Sequence, residues 1–265
     1  MPALFCSCGK KFNKHHYFSN HITECKTYIK TDGTFEFTPL KNKLYGWTMF
    51  ADDLLNRCPK QKIFEANLML NMPSGSSFLD IGANFGDTAC SLAIFAKTHD
   101  RNDIRFFVFE PNKLKCDYIS KISKLNDLNI HIFPNCVGNN NNFVSEKDSS
   151  QSGLGCCVYE EKSNSSIKTI LLDDIKNEIE PVGFMHIDVE GWEPKVLNGA
   201  QSILNNCNNK IILFAECWDK NTSSIRLGFS NDPEKSILNE LKHHNYERLE
   251  DYIEMGEKNL VFKIN

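Results

Sequence analysis

The feature that most constrains the fold of this 265-residue chain is the run at residues 78–93, where an apolar segment passes through a glycine-containing turn straight into a segment of small residues. Gly82 and Gly86 allow the backbone to turn sharply and to approach a ligand closely. The helix that starts there offers backbone N–H groups that lack intrahelical partners. The run therefore predicts one strand–turn–helix unit of a doubly wound α/β sheet, with a cradle for a nucleotide-type cofactor at the turn.

The turn has the spacing G-x-x-x-G, whereas dinucleotide-binding proteins have G-x-G-x-x-G. Asp80 precedes the first glycine, and Asn84 occupies the middle of the turn. The three glycines of a dinucleotide site shape the approach of an anionic pyrophosphate to the helix end. The missing glycine and the acidic Asp80 therefore argue against an NAD(P)-dependent dehydrogenase and favour a cationic ligand.

Two further runs have the same strand-to-helix form. Residues 104–112 read as a buried strand that ends in Glu110 and is closed by Pro111. A carboxylate about 20 positions after the glycines is where such a fold binds both hydroxyls of a ribose. Residues 183–200 again pass from an apolar strand through a charged turn into a helix. We expect the ends of these three strands to meet at one edge of the sheet.

Four motifs together resemble the FkbM-type family of S-adenosylmethionine-dependent methyltransferases, over roughly residues 40–265. They are Asp80–Gly86, Phe109–Pro111, Leu172–Ile175, and Ile187–Glu193 followed by Val196–Ala200. In that family the first motif holds the methionine part of the cofactor, the Glu of the second holds its ribose, and the last lines the reaction cleft. One departure is that His186 stands where the family usually has Lys.

The resemblance implies a Rossmann-like class I methyltransferase sheet that binds S-adenosylmethionine. The residues expected to bind this cofactor are Asp80, Gly82, Ala83, Asn84, Gly86, Asp87, Thr88, Glu110, Asn112 and Asp188. The resemblance also implies O-methylation, commonly of a sugar, a glycan or another small molecule with a hydroxyl group.

The chemistry of methyl transfer indicates which side chains the third strand end needs. The reaction is an in-line displacement, so the protein must hold the acceptor oxygen in line and away from water. A protonated hydroxyl is a poor nucleophile, and a nearby base is therefore useful. We predict Asp188 near the cofactor amine or the acceptor, Glu190 as base or acceptor clamp, and His186 as a supporting base.

Each of these assignments has a structural alternative. Glu190 is also suited to capping the helix that follows it. A lone histidine in a strand, such as His186, is more often a hydrogen-bonded structural residue. Glu216 ends the next predicted strand and would complete an acidic rim. Asp173 and Asp174 are expected to begin a short helix rather than to bind a metal ion.

The N-terminal segment predicts a small ββα zinc finger. Cys6 and Cys8 are followed by twelve residues, His21, three residues and Cys25. Thiolate and imidazole ligands suit tetrahedral Zn²⁺, and a unit this small has too little core to fold without the metal. The segment resembles a C2H2-type finger in a Cys-Cys-His-Cys variant, with a single residue between the first two cysteines where two or more are usual.

Two observations bear on the identity of the zinc ligands. Leu4, Phe12 and Phe18 fall where a ββα finger keeps its core residues. His15 and His16 are alternative ligands, but neither fits this apolar template. The predicted metal set is therefore Cys6, Cys8, His21 and Cys25.

The patterns divide the chain into three parts. The finger covers residues 1–27, a hairpin with a turn at Asp32-Gly33 and a lead-in segment cover 28–60, and the methyltransferase domain covers 61–265. Within the domain, helices are expected over 61–71, 86–97, 112–125, 193–206 and 233–244. Strands are expected over 77–82, 104–110, 129–133, 183–188 and 210–216, with short strands near 156–159 and 166–171 and a final pair near 246–252 and 259–264. The polar stretches 138–142 and 149–155 are expected to be surface loops.

Composition limits the cellular setting and the partners. The 30 basic and 34 acidic side chains give a net charge of −4, which lacks the excess of positive charge typical of nucleic-acid binding. No apolar stretch approaches the roughly 18 residues that span a bilayer. Eleven cysteines without a secretion signal predict reduced thiols in a cytoplasmic protein. The Asn- and Lys-rich composition is typical of an AT-rich genome, including viral ones.

The basic finger leaves a second function open. Lys10, Lys11, Lys14 and Lys26 make the finger locally basic, which favours phosphate contacts. An RNA ribose 2′-hydroxyl is then the alternative acceptor, and a protein partner for the finger is a further alternative. A non-catalytic binding module built on the finger is the least favoured reading, because Asp80, the glycines of the turn and Glu110 are all in place.

Overall fold

The computed structural model describes residues 59–147, 167–206, 210–217, 232–249, 251–254 and 257–265, and seven short strands outside these ranges. The helices are α1 (Pro59–Leu70), α2 (Asp87–Thr98), α3 (Lys113–Leu125), α4 (Lys176–Ile179), α5 (Glu193–Asn198), α6 (Gln201–Leu204) and α7 (Pro233–Leu241). A 3₁₀ turn at Leu172–Ile175 precedes α4 and confirms the short helix predicted to begin with Asp173 and Asp174.

Six of the short strands form three antiparallel pairs near the N-terminus. They are β1 (Leu4–Phe5) with β2 (Lys11–Phe12), β3 (Ile29–Thr31) with β4 (Phe35–Phe37), and β5 (Lys41–Leu44) with β6 (Trp47–Phe50). The second pair flanks Asp32-Gly33, where the sequence predicts a hairpin turn. The predicted zinc ligands Cys6, Cys8, His21 and Cys25 lie outside the described residues.

The central sheet contains eight strands. They are β7 (Ser77–Ile81), β8 (Arg105–Phe109), β9 (Ile130–Phe133), β14 (Val182–Ile187), β15 (Ile211–Glu216), β16 (Tyr246–Arg248), β17 (Tyr252–Glu254) and β18 (Glu257–Ile264). Their order is β16-β18-β15-β14-β7-β8-β9, and β17 also pairs with β18. The five strands from β15 to β9 are parallel, and β18 is antiparallel to β15. This arrangement confirms the predicted doubly wound α/β sheet and makes it a mixed one.

The sheet is buried on both faces, as expected for a parallel sheet covered by helices. Phe78 and Phe184 stack on one face with ring centroids 4.9 Å apart, and this face packs against α1 and α2. Leu79 and Met185 face the other side, where α5, α6 and α7 pack. Because side chains alternate along a strand, Asp80 and His186 belong to the α1 face, and they are register partners in β7 and β14. Ile187 points to the opposite face.

A second, smaller sheet is inserted in the chain between β9 and β14 and was only partly predicted. It contains β10 (Cys136–Val137), β11 (Phe143–Lys147), β12 (Val158–Glu161) and β13 (Ile167–Ile170), in the order β10-β13-β11-β12. The sequence predicted strands near the last two but not β10 or β11. The asparagines before β11 form a turn in which Asn142 N donates to Asn140 Oδ1 and Thr169 Oγ1 donates to the Asn142 carbonyl.

The helix predicted over 193–206 is two helices, because α5 ends before Gly199. A Cβ atom at Gly199 would overlap the carbonyl oxygen of Gly138. Asp173, from the 3₁₀ turn, accepts hydrogen bonds from Ser202 N and Ile203 N and so caps α6. Among the described helices, none combines the length and the apolar character needed to cross a membrane.

The contact at Gly199 gives a stability prediction. Replacing Gly199 with Ala forces the chain near Gly138 to move, so we expect the free energy of unfolding to fall by about 1–3 kcal/mol in urea denaturation. The matched control is Gly138→Ala, whose added methyl group would meet its nearest neighbour at 3.7 Å, an ordinary contact distance. Equal stability of the two variants would contradict this account of the helix break.

Candidate functional site

A cleft opens at the carboxyl ends of β7, β14 and β15, and its empty space, including the open mouth, is about 550 Å³. The sheet edge contributes Asp80, Gly82, Ala83, Asn84, Asp87, Thr88, His186, Asp188 and Glu216, helix α1 contributes Gln61 and Lys62, and β18 contributes Asn259. Glu110 directly follows the neighbouring strand β8, and its carboxylate accepts a hydrogen bond from the same turn, as described below. The predicted meeting of three strand ends at one edge is therefore confirmed.

The turn between β7 and α2 forms a tight backbone cradle. Gly82 has φ 86°, and a Cβ atom there would overlap the carbonyl oxygen of Asp188, so only glycine fits. Gly86 has φ 77°, and a Cβ atom there would collide with the side chain of Ile119. Asn84 also lies in the left-handed region, at φ 53°. Its Oδ1 atom is buried without a hydrogen-bond partner among the described residues, which leaves an acceptor at the turn for a ligand.

Asp80 lies fully buried beneath this turn. Its Oδ2 accepts a hydrogen bond from Ala89 N in the first turn of α2 at 3.0 Å, and its Oδ1 lies 2.9 Å from His186 Nδ1. The first contact ties β7 to α2, and the second ties β7 to β14. Asp80 therefore lines the cleft as predicted, but most of its hydrogen-bonding capacity holds the cradle together.

Glu110 is held in place by two backbone donors. Its Oε2 accepts from Asn84 N at 2.9 Å, and its Oε1 accepts from Asn112 N at 2.8 Å. Burial raises the pKa of this carboxyl, and the Lys115 ammonium opposes the increase. Each carboxylate oxygen has a second lone pair. Two hydroxyl groups can therefore still bind to Glu110.

Asn112, which was predicted as a cofactor ligand, has a clear structural contact. Its Oδ1 accepts from Leu114 N at 3.0 Å and from Lys115 N at 3.3 Å. These are the bonds of an N-cap, and they start helix α3. Asn112 thus shapes the loop that presents Glu110, and a direct contact with the cofactor stays a prediction.

His186 lies in the cleft, but its surroundings argue against the predicted role of a base. Nδ1 faces Asp80, and Nε2 lies 3.6 Å from Oε1 of Glu65. Burial alone would lower the pKa of His186, but the Glu65 and Asp80 carboxylates outweigh it and raise the pKa to about 10. A ring that carries both protons at neutral pH has no lone pair to accept another. His186 therefore corresponds to the structural alternative that the sequence left open.

Asp188 and Glu216 form a pair of acidic groups at the ends of β14 and β15. Burial raises the pKa of Glu216 well above its usual range, and the nearby charges of Asp188, Glu190 and Glu193 add to the increase. A side-chain hydrogen bond between Glu216 and Asp188 also raises this pKa. Asn259 lies opposite Glu216 in the register of β15 and β18 and also lines the cleft. The pair thus places two hydrogen-bonded carboxyl groups at the cleft.

The loop before α5 is held by Glu193, whereas the sequence pointed to Glu190 for a role at this place. Glu193 is buried, and its Oε1 accepts from Val189 N at 3.1 Å and from Gly191 N at 3.2 Å, which fixes the loop before α5. Glu190 is half-buried, and its φ is 57°. It does not line the cleft, but its charge helps to raise the pKa of Glu216, which does. Glu193 thus fixes the loop rather than the helix end, and helix capping by Glu190 stays a prediction.

Helix α1 supplies three site residues that the sequence analysis missed. Lys62 is 3% exposed, and its Nζ lies 3.1 Å from Oδ2 of Asp87, a predicted cofactor ligand. Glu65 is fully buried, and Gln61 donates to it at 3.3 Å. A signal was present, since Lys62 and Glu65 interrupt the apolar helix face formed with Ala66 and Met69. Charged residues on a buried helix face indicate a function more often than a stability role.

The acidic residues of the predicted site leave open whether it binds a metal ion. Within the ranges that the structure describes, no group of three or more His, Cys, Asp or Glu side chains is placed to hold a metal ion.

Comparison with known proteins identifies the domain type. A sequence model of the methyltransferase FkbM domain matches residues 80–248. No curated protein matches this chain.

Solved structures with a similar fold are distant in sequence. The O-methyltransferase from Bacillus cereus in complex with SAH has 14% identity and a TM-score of 0.50, and the match covers 94% of this chain and 96% of that protein. A methyltransferase FkbM from Methylobacillus flagellatus KT has 16% identity and a TM-score of 0.45, over 72% of this chain. The chain spans only 44% of the length of that protein. At such identities the B. cereus match bears on the fold alone.

The buried ion pair between Asp80 and His186 gives a second prediction. Asp80→Asn leaves the imidazolium without its carboxylate partner, so we expect a loss of about 3–5 kcal/mol in the free energy of unfolding near pH 7. Because the folded pKa of His186, about 10, lies above the usual 6.5, the stabilisation is fully present below pH 6.5 and is lost as the pH rises through 10.

The matched control for this variant is Asp127→Asn. Asp127 is 99% exposed and pairs only with the partly exposed Lys97, so its loss should change stability by less than about 1 kcal/mol. Similar losses in the two variants, measured by urea unfolding, would show that the Asp80–His186 pair does not stabilise the fold.

Proposed function

Because the chain belongs to the FkbM methyltransferase family, we propose that its cleft binds S-adenosylmethionine and that the enzyme methylates a hydroxyl oxygen of a sugar, a glycan or another small molecule. Family membership makes the protein an S-adenosylmethionine-dependent methyltransferase. The observation that carries the assignment of the site is the junction of the Gly82–Asn84 cradle with the Glu110 carboxylate. The acceptor class and the role of each residue are part of the proposal.

The residues present fit the cofactor in three respects. Gly82 has no side chain, so the turn lies directly against the Asp188 carbonyl and exposes its own backbone to the cleft. The buried Asn84 Oδ1 lacks a partner among the described residues and suits a donor group of the ligand. Glu110 keeps one lone pair on each oxygen for the two ribose hydroxyls. When bound, the cofactor supplies an electrophilic methyl group on a positively charged sulfur.

The remaining predicted contacts divide between backbone and side chains. We assign the methionine part to the backbone of Gly82, Ala83 and Asn84, with the help of Thr88 and Asp188. Gly86 and Asp87 shape the helix start, with Asp87 held by Lys62. Asp80 supports the turn from below, because its two oxygens already form hydrogen bonds with Ala89 N and His186 Nδ1.

Asp188 is proposed to take the proton of the acceptor hydroxyl. It lines the cleft and is less buried than Glu216, whose pKa burial raises well above its usual range. The hydrogen bond with Glu216 orients the Asp188 carboxylate, and Asn259 offers an amide to the acceptor from the next strand. Glu190 lies on the loop after β14, where its charge raises the pKa of Glu216, and its role as base or acceptor clamp stays a prediction.

The zinc finger is proposed as a second functional unit. Its ligands, Cys6, Cys8, His21 and Cys25, lie outside the described residues, but the register of β1 and β2 pairs Leu4 with Phe12. These are two of the three residues expected in a finger core. Zn²⁺ bound there would present the basic residues around it to a protein or nucleic-acid partner. Methylation of an RNA 2′-hydroxyl is the alternative function that this basic surface favours.

Binding of the cofactor gives the third prediction. Glu110→Gln replaces one carboxylate oxygen with a donor amide, so we expect S-adenosylmethionine affinity to fall about 10- to 100-fold in isothermal titration calorimetry. The matched control is Glu178→Gln, an exposed carboxylate outside the cleft. Unchanged affinity in Glu110→Gln would remove Glu110 from the cofactor site.

The choice of acceptor gives the fourth prediction. With methyl-labelled S-adenosylmethionine, a panel of mono- and oligosaccharides should take up label, whereas an RNA oligonucleotide should not. Asp188→Asn should slow this transfer about 10²- to 10⁴-fold, because the proton acceptor is lost. Label found only in the RNA, with binding that weakens steeply with salt, would replace the favoured acceptor with the alternative.

The metal content of the finger gives the fifth prediction. Elemental analysis of the purified protein should find about one Zn²⁺ per chain, and Cys25→Ser should lower this value markedly. Cys90→Ala, which removes a buried free thiol in α2, should leave the zinc content unchanged. A zinc-free protein with the same properties as the intact protein would contradict the prediction of a zinc finger.

A further inference from the structure

Three charged side chains meet beneath the floor of the cleft. Glu65 comes from α1, Asp80 from β7 and His186 from β14, and they are 0%, 0% and 4% exposed. Asp80 Oδ1 lies 2.9 Å from one ring nitrogen of His186, and Glu65 Oε1 lies 3.6 Å from the other. The imidazole ring is therefore enclosed between two carboxylates, one from each side. We refer to these three residues as the buried charge cluster.

The buried charge cluster costs free energy of folding, which a purely stabilising role does not explain. Burying charges costs free energy, and apolar residues of similar volume often replace such a group without loss. Glu65 adds to this cost, since its Oε2 is buried without a hydrogen-bond partner among the described residues. The cost suggests that Glu65 is retained for the site above it.

The charges around His186 explain how it keeps its proton. Glu65 faces it from α1, Asp80 from β7 and Asp188 from the end of its own strand, while the neighbouring ring of Phe214 from β15 is neutral. Lys62, the closest cation on α1, is paired with Asp87. Burial lowers the pKa of His186 and raises the pKa of Glu65 to about 7, so Glu65 is fully ionised only above neutral pH. Glu65, Asp80 and Asp188 together outweigh burial and raise the pKa of His186 to about 10.

Glu65 and His186 are also notable for their positions in the chain. Glu65 lies outside the matched region 80–248, whereas His186 lies inside it. A histidine at this place needs neighbouring carboxylates to be a cation near neutral pH.

We propose that Glu65 is a positioning residue of the cofactor site, which keeps His186 protonated so that the imidazolium holds Asp80 and, through Asp80, the turn that receives the cofactor. Asp80 links the two, since its other oxygen binds Ala89 N at the start of α2. The effect on the cofactor rests on the proposed function, whereas the effect on the His186 proton does not. Helix α1 is thereby part of the methyltransferase site, although it precedes the matched region.

The first test measures the proton directly. In protein labelled with ¹³C at the histidine ring, the His186 signal, assigned by its absence in His186→Lys, should remain that of an imidazolium from pH 6 to 9. In Glu65→Gln its titration midpoint should move down by at least about two pH units, which corresponds to a hundredfold change in proton affinity. Titration of His186 near pH 6.5 in the intact protein would overturn the proposal, even if Glu65→Gln did not fold.

The second test measures S-adenosylmethionine binding between pH 6.5 and 9 by calorimetry. Affinity should be nearly constant over this range in the intact protein but should fall by about tenfold or more in Glu65→Gln, as His186 loses its proton. In the double variant Glu65→Gln, His186→Lys, the fixed ammonium should restore a constant affinity. Glu178→Gln serves as the control for loss of a carboxylate elsewhere.

The two tests separate the possible failures. If the intact protein does not bind S-adenosylmethionine at any pH, the proposed function fails, and the ring titration still decides whether Glu65 controls His186. If binding occurs but Glu65→Gln shows the pH profile of the intact protein, the positioning role of Glu65 is wrong. A double variant that keeps the pH dependence would also overturn it, because the charge at position 186 would then not be the cause.

Discussion

The approach of the Gly82 backbone to the end of β14 is the constraint on which the site depends. Asp188 N donates to the Ile81 carbonyl at 3.0 Å, and the Asp188 carbonyl lies where any side chain at position 82 would be. One contact therefore sets the shape of the cradle and the place of Asp188. The same turn receives Glu110 through Asn84 N. The cofactor cradle and the proposed proton acceptor are thus fixed relative to each other by backbone atoms, which do not depend on rotamers.

Polar groups beneath and beside this backbone frame divide into two layers. The buried charge cluster and the Lys62–Asp87 pair hold secondary-structure elements together, and their side chains are almost entirely used by the protein. Asp188, Glu216 and Asn259 lie at the cleft itself and keep capacity for a ligand. Helix α1 contributes to the first layer, so the site includes residues before the segment that matches the family.

Residues whose role depends on local chain geometry were predictable from the sequence. Asp80, Gly82 and Glu110 each end a strand or shape the turn after it, and the order of the parallel strands follows from the same pattern. Features that depend on distant pairing were not predictable. Glu65 meets His186 across more than a hundred residues of chain, β11 pairs with β12 and β13 despite its polar sequence, and Gly199 breaks a helix because of Gly138. The protonation of His186 was missed because a pKa depends on burial and neighbours that the sequence does not show.

Hydrogen–deuterium exchange of the intact protein, with and without S-adenosylmethionine, tests the central claim most directly, because it locates binding as well as detecting it. The account predicts slower exchange on cofactor addition in peptides that cover residues 82–90 and 110–116, and no change over 232–249, at the far edge of the sheet. Binding without protection of the 82–90 turn, or protection confined to another part of the chain, would contradict the assignment of this cleft as the methyltransferase site.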